Sequence, residues 1–114
     1  MMTYKQFDVV VVPFPFTDAQ ASKRRPALVL SADQTFNCPV GHSVMAMITT
    51  DYRSTWALDV GITDLTAAGL KAPSIIRMKL FTLDHALVRK QIGRLSAVDQ
   101  AAVIASLSSL LPLI

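Results

Sequence analysis

The residues of this chain best suited to chemistry begin with a run of three cations, Lys23, Arg24 and Arg25. Pro26 follows them and leads into the apolar segment 27–30. Burying three charges is costly, whereas the apolar segment is typical of a buried strand, so we expect Arg25 to lie at the mouth of a core. A guanidinium binds phosphate oxygens through parallel hydrogen bonds and remains charged at physiological pH. Arg25 is therefore a candidate for phosphate chemistry, although a solvated charge cluster would have the same pattern.

Hydroxyl groups and two further cations occur where strands are predicted. Thr49 and Thr50 end an apolar run, so their hydroxyls emerge at a strand end and could donate to a phosphate. Threonine is also common in strands and turns for purely structural reasons. Arg77 and Lys79 are two residues apart in a predicted strand and so share one face. They are either solvated or line a groove for RNA, DNA or an acidic peptide.

Two aromatic residues, Phe14 and Phe16, alternate with prolines in the segment that follows the first apolar run. In an extended segment they share a face, and the prolines stiffen the backbone between them. The pair could stack on unpaired bases, or it could fill the open end of a barrel. Tyr52 and Trp56, in a later loop, have the same two interpretations.

Several kinds of site are disfavoured by the residue counts. The single cysteine, Cys38, excludes an internal disulfide and fits a reducing cytoplasm. With His42 and His85 it has no recognisable metal-ligand spacing, so we expect no metal. Four scattered glycines do not form a phosphate-cradling loop, and we expect no cofactor.

The overall composition is that of a basic, apolar small protein. Its 114 residues suit one domain over residues 1–114. The net charge of +3 favours an acidic partner, and the hydrophobic content of 52% favours burial of surface in a homodimer. The apolar segment 101–114 is shorter than the roughly 20 residues that span a bilayer, so we expect a protein that does not cross membranes.

Short strands separated by loops, with one helix at the end, predict a mainly β fold with minor α content. We expect a small, strongly bent antiparallel barrel and a helix that begins near Ser96 and packs its apolar stripe on the sheet. The strands are predicted at 8–12, ended by Pro13, and at 26–31, 43–49, 58–62, 74–80 and 91–95; the stripe comprises Val103, Ile104, Leu107, Leu110 and Leu111.

The order and spacing of these motifs resemble the MazF/PemK (Kid) toxin family. The matching segments are 8–18, 23–31, 48–50, 79–84 and 92–96. The resemblance implies the SH3-like barrel of the MazF/CcdB/Kid fold, a homodimer, and a cytoplasmic toxin of a type II toxin-antitoxin system. It further implies a sequence-specific, metal-independent endoribonuclease for single-stranded RNA. Attack by the 2′-hydroxyl would leave a 2′,3′-cyclic phosphate and a 5′-hydroxyl. A cognate antitoxin would inhibit the enzyme, and their complex would bind DNA.

By motif match, the resemblance assigns catalysis to Arg25, which would stabilise the phosphorane and assist proton transfer, and to Thr49. Thr50 and Arg77 are similar to RNA-contacting positions of the family. We add Lys79 to the expected RNA-binding residues. The other expected members of this binding set are Phe14, Phe16, Lys23 and Arg24.

One departure from the family concerns the proton acceptor. PemK-type members have an acidic residue two positions after the arginine that corresponds to Arg77, but this chain has Lys79 there. A charged lysine cannot accept a proton. Either Arg25 and Thr49 suffice, or Asp51 or Asp84 enters the site, or activity is weak.

Two other functions remain open at this level. The CcdB gyrase poisons resemble MazF in architecture and arrest growth without catalysis. A binding module of the same fold that has lost nuclease activity would also tolerate a lysine at position 79.

Overall fold

One antiparallel sheet of six strands, in the order β4-β5-β3-β2-β1-β6, forms the centre of the protein. The computed structural model describes residues 3–14, 23–50 and 55–113. Together with a C-terminal helix, the curled sheet confirms the predicted mainly β architecture. The strands are β1 Asp8–Phe14, β2 Lys23–Val29, β3 His42–Thr49, β4 Val60–Gly61, β5 Ile75–Asp84 and β6 Lys90–Arg94.

Strand β1 is central, which explains its unbroken run of valines. It pairs with β2 on one side and with β6 on the other. Val9 lies in an apolar core on one face of the sheet, Val10 and Val12 lie in a core on the other face, and all three are fully buried. The prediction that Pro13 ends this strand is wrong. Pairing with β6 stops at Val11, so Pro13 lies where β1 has a partner on one side only and its missing N–H interrupts no ladder.

The sheet has an apolar core on each face. The larger core includes Val9, Leu28, Ile48 and Ile76 and is covered by the C-terminal helix through Val103. The smaller core lies on the opposite face, which we call the open face because it is the one that this helix does not cover. It contains Val10, Val12, Ala27, Val29, Met45, Leu83 and Tyr4.

In the described part of the chain three α-helices accompany the sheet: α1 Cys38–Val40, α2 Leu65–Ala68 and α3 Ala97–Leu110. A π-helical turn spans Asp33–Asn37 and a 3-10 turn spans His85–Leu87. No helix within the described ranges is long and apolar enough to cross a membrane.

The helix α3 begins as predicted, because the Ser96 side chain accepts a hydrogen bond from the backbone N–H of Asp99. The predicted apolar stripe is only partly correct. Val103 is buried and Leu107 and Leu110 pack on the core, whereas Ile104 and Leu111 are about half exposed. The inward face is set by residues 99, 103, 106 and 110, and Ile104 falls beside that line.

Two glycines let the sheet curl until its edges approach. The helix α2 follows edge strand β4 and packs on the other edge strand, β6. A Cβ at Gly93 would lie 2.4 Å from the carbonyl carbon of Ala68, and one at Gly69 would lie 1.9 Å from the carbonyl oxygen of Ile92. Backbone therefore packs directly against backbone at this junction.

Candidate functional site

The strands β2 and β3 are antiparallel neighbours, so Arg25 near the start of β2 and Thr49 at the end of β3 lie at the same end of the sheet. Within this ladder Ala27 pairs with Met47 and Val29 pairs with Met45. Continuing this register by two residues places Arg25 opposite Thr49, and cross-strand neighbours have Cα atoms about 4.5–5.5 Å apart. Side chains alternate along a strand, so Arg25 shares a face with Ala27, which lies in the core of the open face.

Both residues are also suitably exposed. Arg25 and Thr49 are half-buried, in contrast to the fully buried segment that follows Arg25. The expectation that Arg25 lies at the mouth of a core therefore agrees with the structure. A guanidinium and a hydroxyl on one face, at adjacent strand positions, could contact the same phosphate.

Arg77 lies on the next strand and also faces the open side. It pairs with Met47 of β3. Met47 is two residues before Thr49 and therefore shares its face of the sheet. Its side chain is buried and forms two hydrogen bonds with Asp59, from Nη2 to Oδ2 at 2.8 Å and from Nε to Oδ1 at 3.2 Å. The contact of Arg77 with RNA stays a prediction, because much of this guanidinium is engaged within the protein.

Sequence reasoning missed Asp59, although strand pairing could have found it. Val60 on β4 pairs with Ile76 on β5 in an antiparallel register, so the residue just before Val60 faces the residue just after Ile76. That relationship sets Asp59 opposite Arg77. The carboxylate is only 18% exposed and compensates the buried guanidinium.

Lys79 and Arg77 lie against the same aromatic ring. The Lys79 Nζ is 4.6 Å from the centroid of the Trp56 ring, and the Arg77 Cζ is 6.0 Å from it. The register between β3 and β5 shifts where Ala46 pairs with Leu80 and Met47 pairs with Arg77, so β5 has two extra residues there. An even number of extra residues preserves the alternation, and Arg77 and Lys79 share a face as predicted.

The remaining predicted binding residues lie around this face or outside the described ranges. Lys23 and Arg24 are exposed at the start of β2, and Thr50 is exposed directly after β3. Phe14 ends β1 opposite Lys23. The Phe14 side chain, Phe16, Tyr52 and Asp51 lie outside the described parts of the structure.

The alternative in which Asp84 enters the site is wrong. Asp84 pairs with His42 at one end of β3, whereas Thr49 is at the other end, roughly 23 Å away by strand rise. The carboxylate instead caps the 3-10 turn by accepting from the Ala86 backbone N–H. Its Oδ2 is 4.0 Å from His42 Nε2.

This far end of the sheet contains polar contacts that the sequence did not suggest. His85 Nε2 is 2.7 Å from the Oγ of buried Ser43, and its ring packs edge-on against Tyr4. Burial lowers the pKa of His85, nearby His42 lowers it further, and Asp84 partly opposes this shift. Among the described residues, no three side chains of the metal-ligating types come together.

The sequence matches one known protein family over most of its length. The sequence profile of the family described as PemK-like, MazF-like toxin of type II toxin-antitoxin system matches residues 5–111. The chain belongs to this toxin family. A search of curated protein sequences finds no match.

Solved structures share the toxin's fold at low sequence identity. A MazE-MazF crystal structure from Deinococcus radiodurans has a TM-score of 0.75 and 21% identity and covers both chains fully. The Mycobacterium tuberculosis toxin MazF-mt6 has a TM-score of 0.70 and 22% identity, covering 94% of this chain and 98% of its own. An endoribonuclease in complex with its cognate antitoxin from a mycobacterial species has a TM-score of 0.75 and 15% identity, covering 97% of each chain.

Proposed function

We propose that this toxin is a sequence-specific endoribonuclease that cleaves single-stranded RNA on the open face of its sheet. The proposal rests on the pairing of β2 with β3, because its register, continued two residues beyond the pair of Ala27 with Met47, would set Arg25 opposite Thr49 on that face. Arg77 and Lys79, on the adjacent strand, add positive charge to the same face. Membership in a family of type II toxins and similarity to a protein described as an endoribonuclease support this assignment.

In the proposed reaction the RNA supplies its own nucleophile. The 2′-hydroxyl attacks the adjacent phosphorus, the bond from phosphorus to the 5′-oxygen breaks, and the proton of the nucleophile is transferred onward to the leaving oxygen. The products are a 2′,3′-cyclic phosphate and a 5′-hydroxyl. Arg25 stabilises the charge that develops on the phosphorane oxygens, and Thr49 donates a hydrogen bond to orient the phosphate.

This scheme requires orientation and charge stabilisation more than a carboxylate base. Lys79 is cationic at neutral pH, and Asp59 is bound to Arg77. Arg25 and Thr49 thus bear most of the catalytic effect in the proposal. Because the nucleophile belongs to the substrate, we propose that cleavage continues in the presence of EDTA.

The test is to incubate purified toxin with a mixed pool of naked RNA and to map the new ends by sequencing. Ends that carry a 5′-hydroxyl, at a recurring short sequence, are expected. Arg25→Ala should slow cleavage by about 10²-fold or more, since it removes a donor to developing charge. Lys5→Ala is the control, because it also removes one positive charge but from an exposed position before β1, at the end of the sheet away from Arg25.

Cleavage by Arg25→Ala at the wild-type rate would contradict the proposed role of the guanidinium. Growth arrest by a toxin that leaves naked RNA intact would instead favour a non-catalytic poison. Thermal unfolding of each variant establishes that loss of activity is not loss of fold.

We also propose that a cognate antitoxin binds the open face with an acidic segment. The solved relatives include MazE-MazF complexes, and the net charge of +3 favours an anionic partner. An antitoxin segment that covers Arg25 would compete with RNA. Addition of the antitoxin in equimolar amount is expected to abolish cleavage, and unchanged cleavage would exclude it as the inhibitor.

A homodimer is the remaining part of the proposed assembly. The outward side of α3 exposes Val98, Ile104 and Leu111, and the only charged residue of this helix, Asp99, is buried. An uncharged, apolar helix face favours association with a second copy. Sedimentation should show twice the mass of the chain for the wild type, and Ile104→Glu should shift it toward the monomer; a monomeric wild type would refute this proposal.

A further inference from the structure

The pair formed by Lys79 and Trp56 has features that the proposed cleavage step does not use. The Lys79 side chain is exposed, and its ammonium rests 4.6 Å from the centroid of the indole ring. Among the described residues it has no carboxylate partner, since the nearby Asp59 is bound to Arg77. A cation held over an aromatic face loses less side-chain freedom on binding an anion than a lysine that extends into solvent.

Among the described residues around Trp56, the charges leave an excess of one positive charge. Asp59 compensates Arg77 through two hydrogen bonds, so the charge of Lys79 is the one not balanced within this group. Because Arg77 is buried and bound to Asp59, the side chains of this pair hold one position beside the Trp56 ring. The site therefore offers a single point charge beside an aromatic ring, and this combination suits a nucleotide, whose phosphate takes the cation and whose base can lie on a π surface.

We propose that Lys79, held over Trp56, binds one backbone phosphate of the RNA substrate away from the scissile linkage. The inference rests on the proposed nuclease function. It assigns Lys79 to binding, in place of the proton-accepting role that an acidic residue would have at this position. Trp56 positions the ammonium and, being 43% exposed, has ring surface left for a base.

The position of the subsite on the sheet fits a strand of RNA that continues from the catalytic pair. Thr49 pairs with Ile75 at one end of β5, and Lys79 lies four residues further along the same strand. Both side chains face the open side. An RNA chain that places one phosphate at Arg25 and Thr49 can thus pass along β5 and present another phosphate to Lys79.

The decisive measurement is the salt dependence of RNA binding. A 2′-O-methyl RNA oligomer of mixed sequence lacks the nucleophile and so serves as an uncleavable probe. Loss of one phosphate contact lowers the slope of log K against log salt by about 0.7 for a single strand. Lys79→Met should show this decrease, whereas Lys79→Arg should keep the wild-type slope.

Lys5→Met is the matched control, because Lys5 is exposed and precedes β1 at the end of the sheet away from Arg25. It removes the same net charge but should leave the slope unchanged. Trp56 is the only tryptophan, so its fluorescence reports the subsite directly. Emission should change as the 2′-O-methyl RNA saturates the wild-type toxin, with saturation followed independently by the anisotropy of a labelled RNA.

An equal slope for Lys79→Met and wild type would overturn the subsite, as would Trp56 emission that stays constant at saturation. Antitoxin binding that weakens while the RNA slope stays constant would assign Lys79 to the protein partner instead and also overturn it. The proposed nuclease function fails differently: a wild-type toxin that binds the probe with the full slope but never cleaves RNA would refute the nuclease and leave the subsite standing.

Discussion

Arg77 and Asp59 face each other across strands β5 and β4 and are joined by two hydrogen bonds, the shorter of 2.8 Å. The guanidinium is buried and its partner is nearly so. A buried pair of this kind adds little net stability over an apolar pair, but loss of one partner leaves a charge without compensation. Asp59 therefore fixes the position of Arg77 on the open face beside Trp56.

Removal of the carboxylate should reveal this dependence. Asp59→Ala is expected to lower the free energy of unfolding by about 3–5 kcal/mol, because the buried Arg77 guanidinium would lose its carboxylate and the two hydrogen bonds to it. Urea titration at neutral pH measures the change. The double variant Asp59→Leu/Arg77→Met removes both charges and should recover most of the loss; a single variant as stable as the wild type would show that water compensates Arg77.

Much of the fold could be predicted because local pattern and tertiary position agree. The valine run of β1 indicated a strand buried on both faces, and the burial of Val9 in one core and of Val10 and Val12 in the other confirms it. Ser96 began a helix through capping chemistry that depends only on neighbouring residues. Two details of the prediction were wrong because they depend on tertiary packing that the local sequence pattern does not contain. The tolerance of Pro13 depends on where β6 ends, and the exposure of Ile104 depends on the rotation of α3.

The candidate site, too, could be predicted from the sequence only in part. Arg25 and Thr49 were accessible to sequence reasoning because each lies at one end of an apolar run, and the pairing of β2 with β3 places both at the same end of the sheet. The partnership of Asp59 with Arg77 was not accessible, because it depends on the register of the two-residue strand β4. The sequence likewise contains no sign that two extra residues in β5 bring Lys79 over Trp56.

The junction of α2 with β6 predicts a strong effect of one methyl group. In Gly93→Ala the added Cβ would lie within 2.6 Å of backbone atoms of Ala67 and Ala68, so the helix must move away from the strand. We expect a loss of stability of about 1–3 kcal/mol, as for overpacked sites. Gly61→Ala is the control, since nothing lies within 4 Å of its added Cβ. Equal melting temperatures for the two variants would argue against close packing at Gly93.

The buried carboxylate of Asp99 should make stability depend on acid. It accepts hydrogen bonds from the backbone N–H groups of Thr63 and Asp64 and from the Thr63 hydroxyl. Burial raises the pKa of Asp99, but these hydrogen bonds outweigh burial and leave the pKa below its ordinary value. The folded state thus prefers the ionised form. This contribution is complete above the ordinary pKa and is lost as pH falls through the folded value.

Asp99→Asn tests this linkage. The amide oxygen cannot replace both carboxylate oxygens, so stability at neutral pH should fall by about 2–3 kcal/mol. The difference from wild type should shrink as the medium becomes more acidic than the ordinary aspartate pKa, since the wild-type carboxylate is then protonated too. Urea unfolding across the acid range measures both quantities. A difference that stays constant with pH would mean that Asp99 acts through shape and not through charge.

His85 predicts a second pH dependence, nearer to neutrality. Its ring contacts Ser43 and Tyr4, with His42 and Asp84 as the charged or titrating neighbours. Burial and then His42 lower the pKa of His85, so the unfolded chain takes up this proton at a higher pH than the folded chain does. Stability from this residue is complete above its ordinary pKa of 6.5 and declines as pH falls through the folded value. His85→Gln should flatten the stability profile between about pH 7 and pH 5. His42→Gln should weaken the same acid-induced loss only partly, since burial of His85 would remain, and a wild-type profile that is already flat over this interval would disprove the linkage.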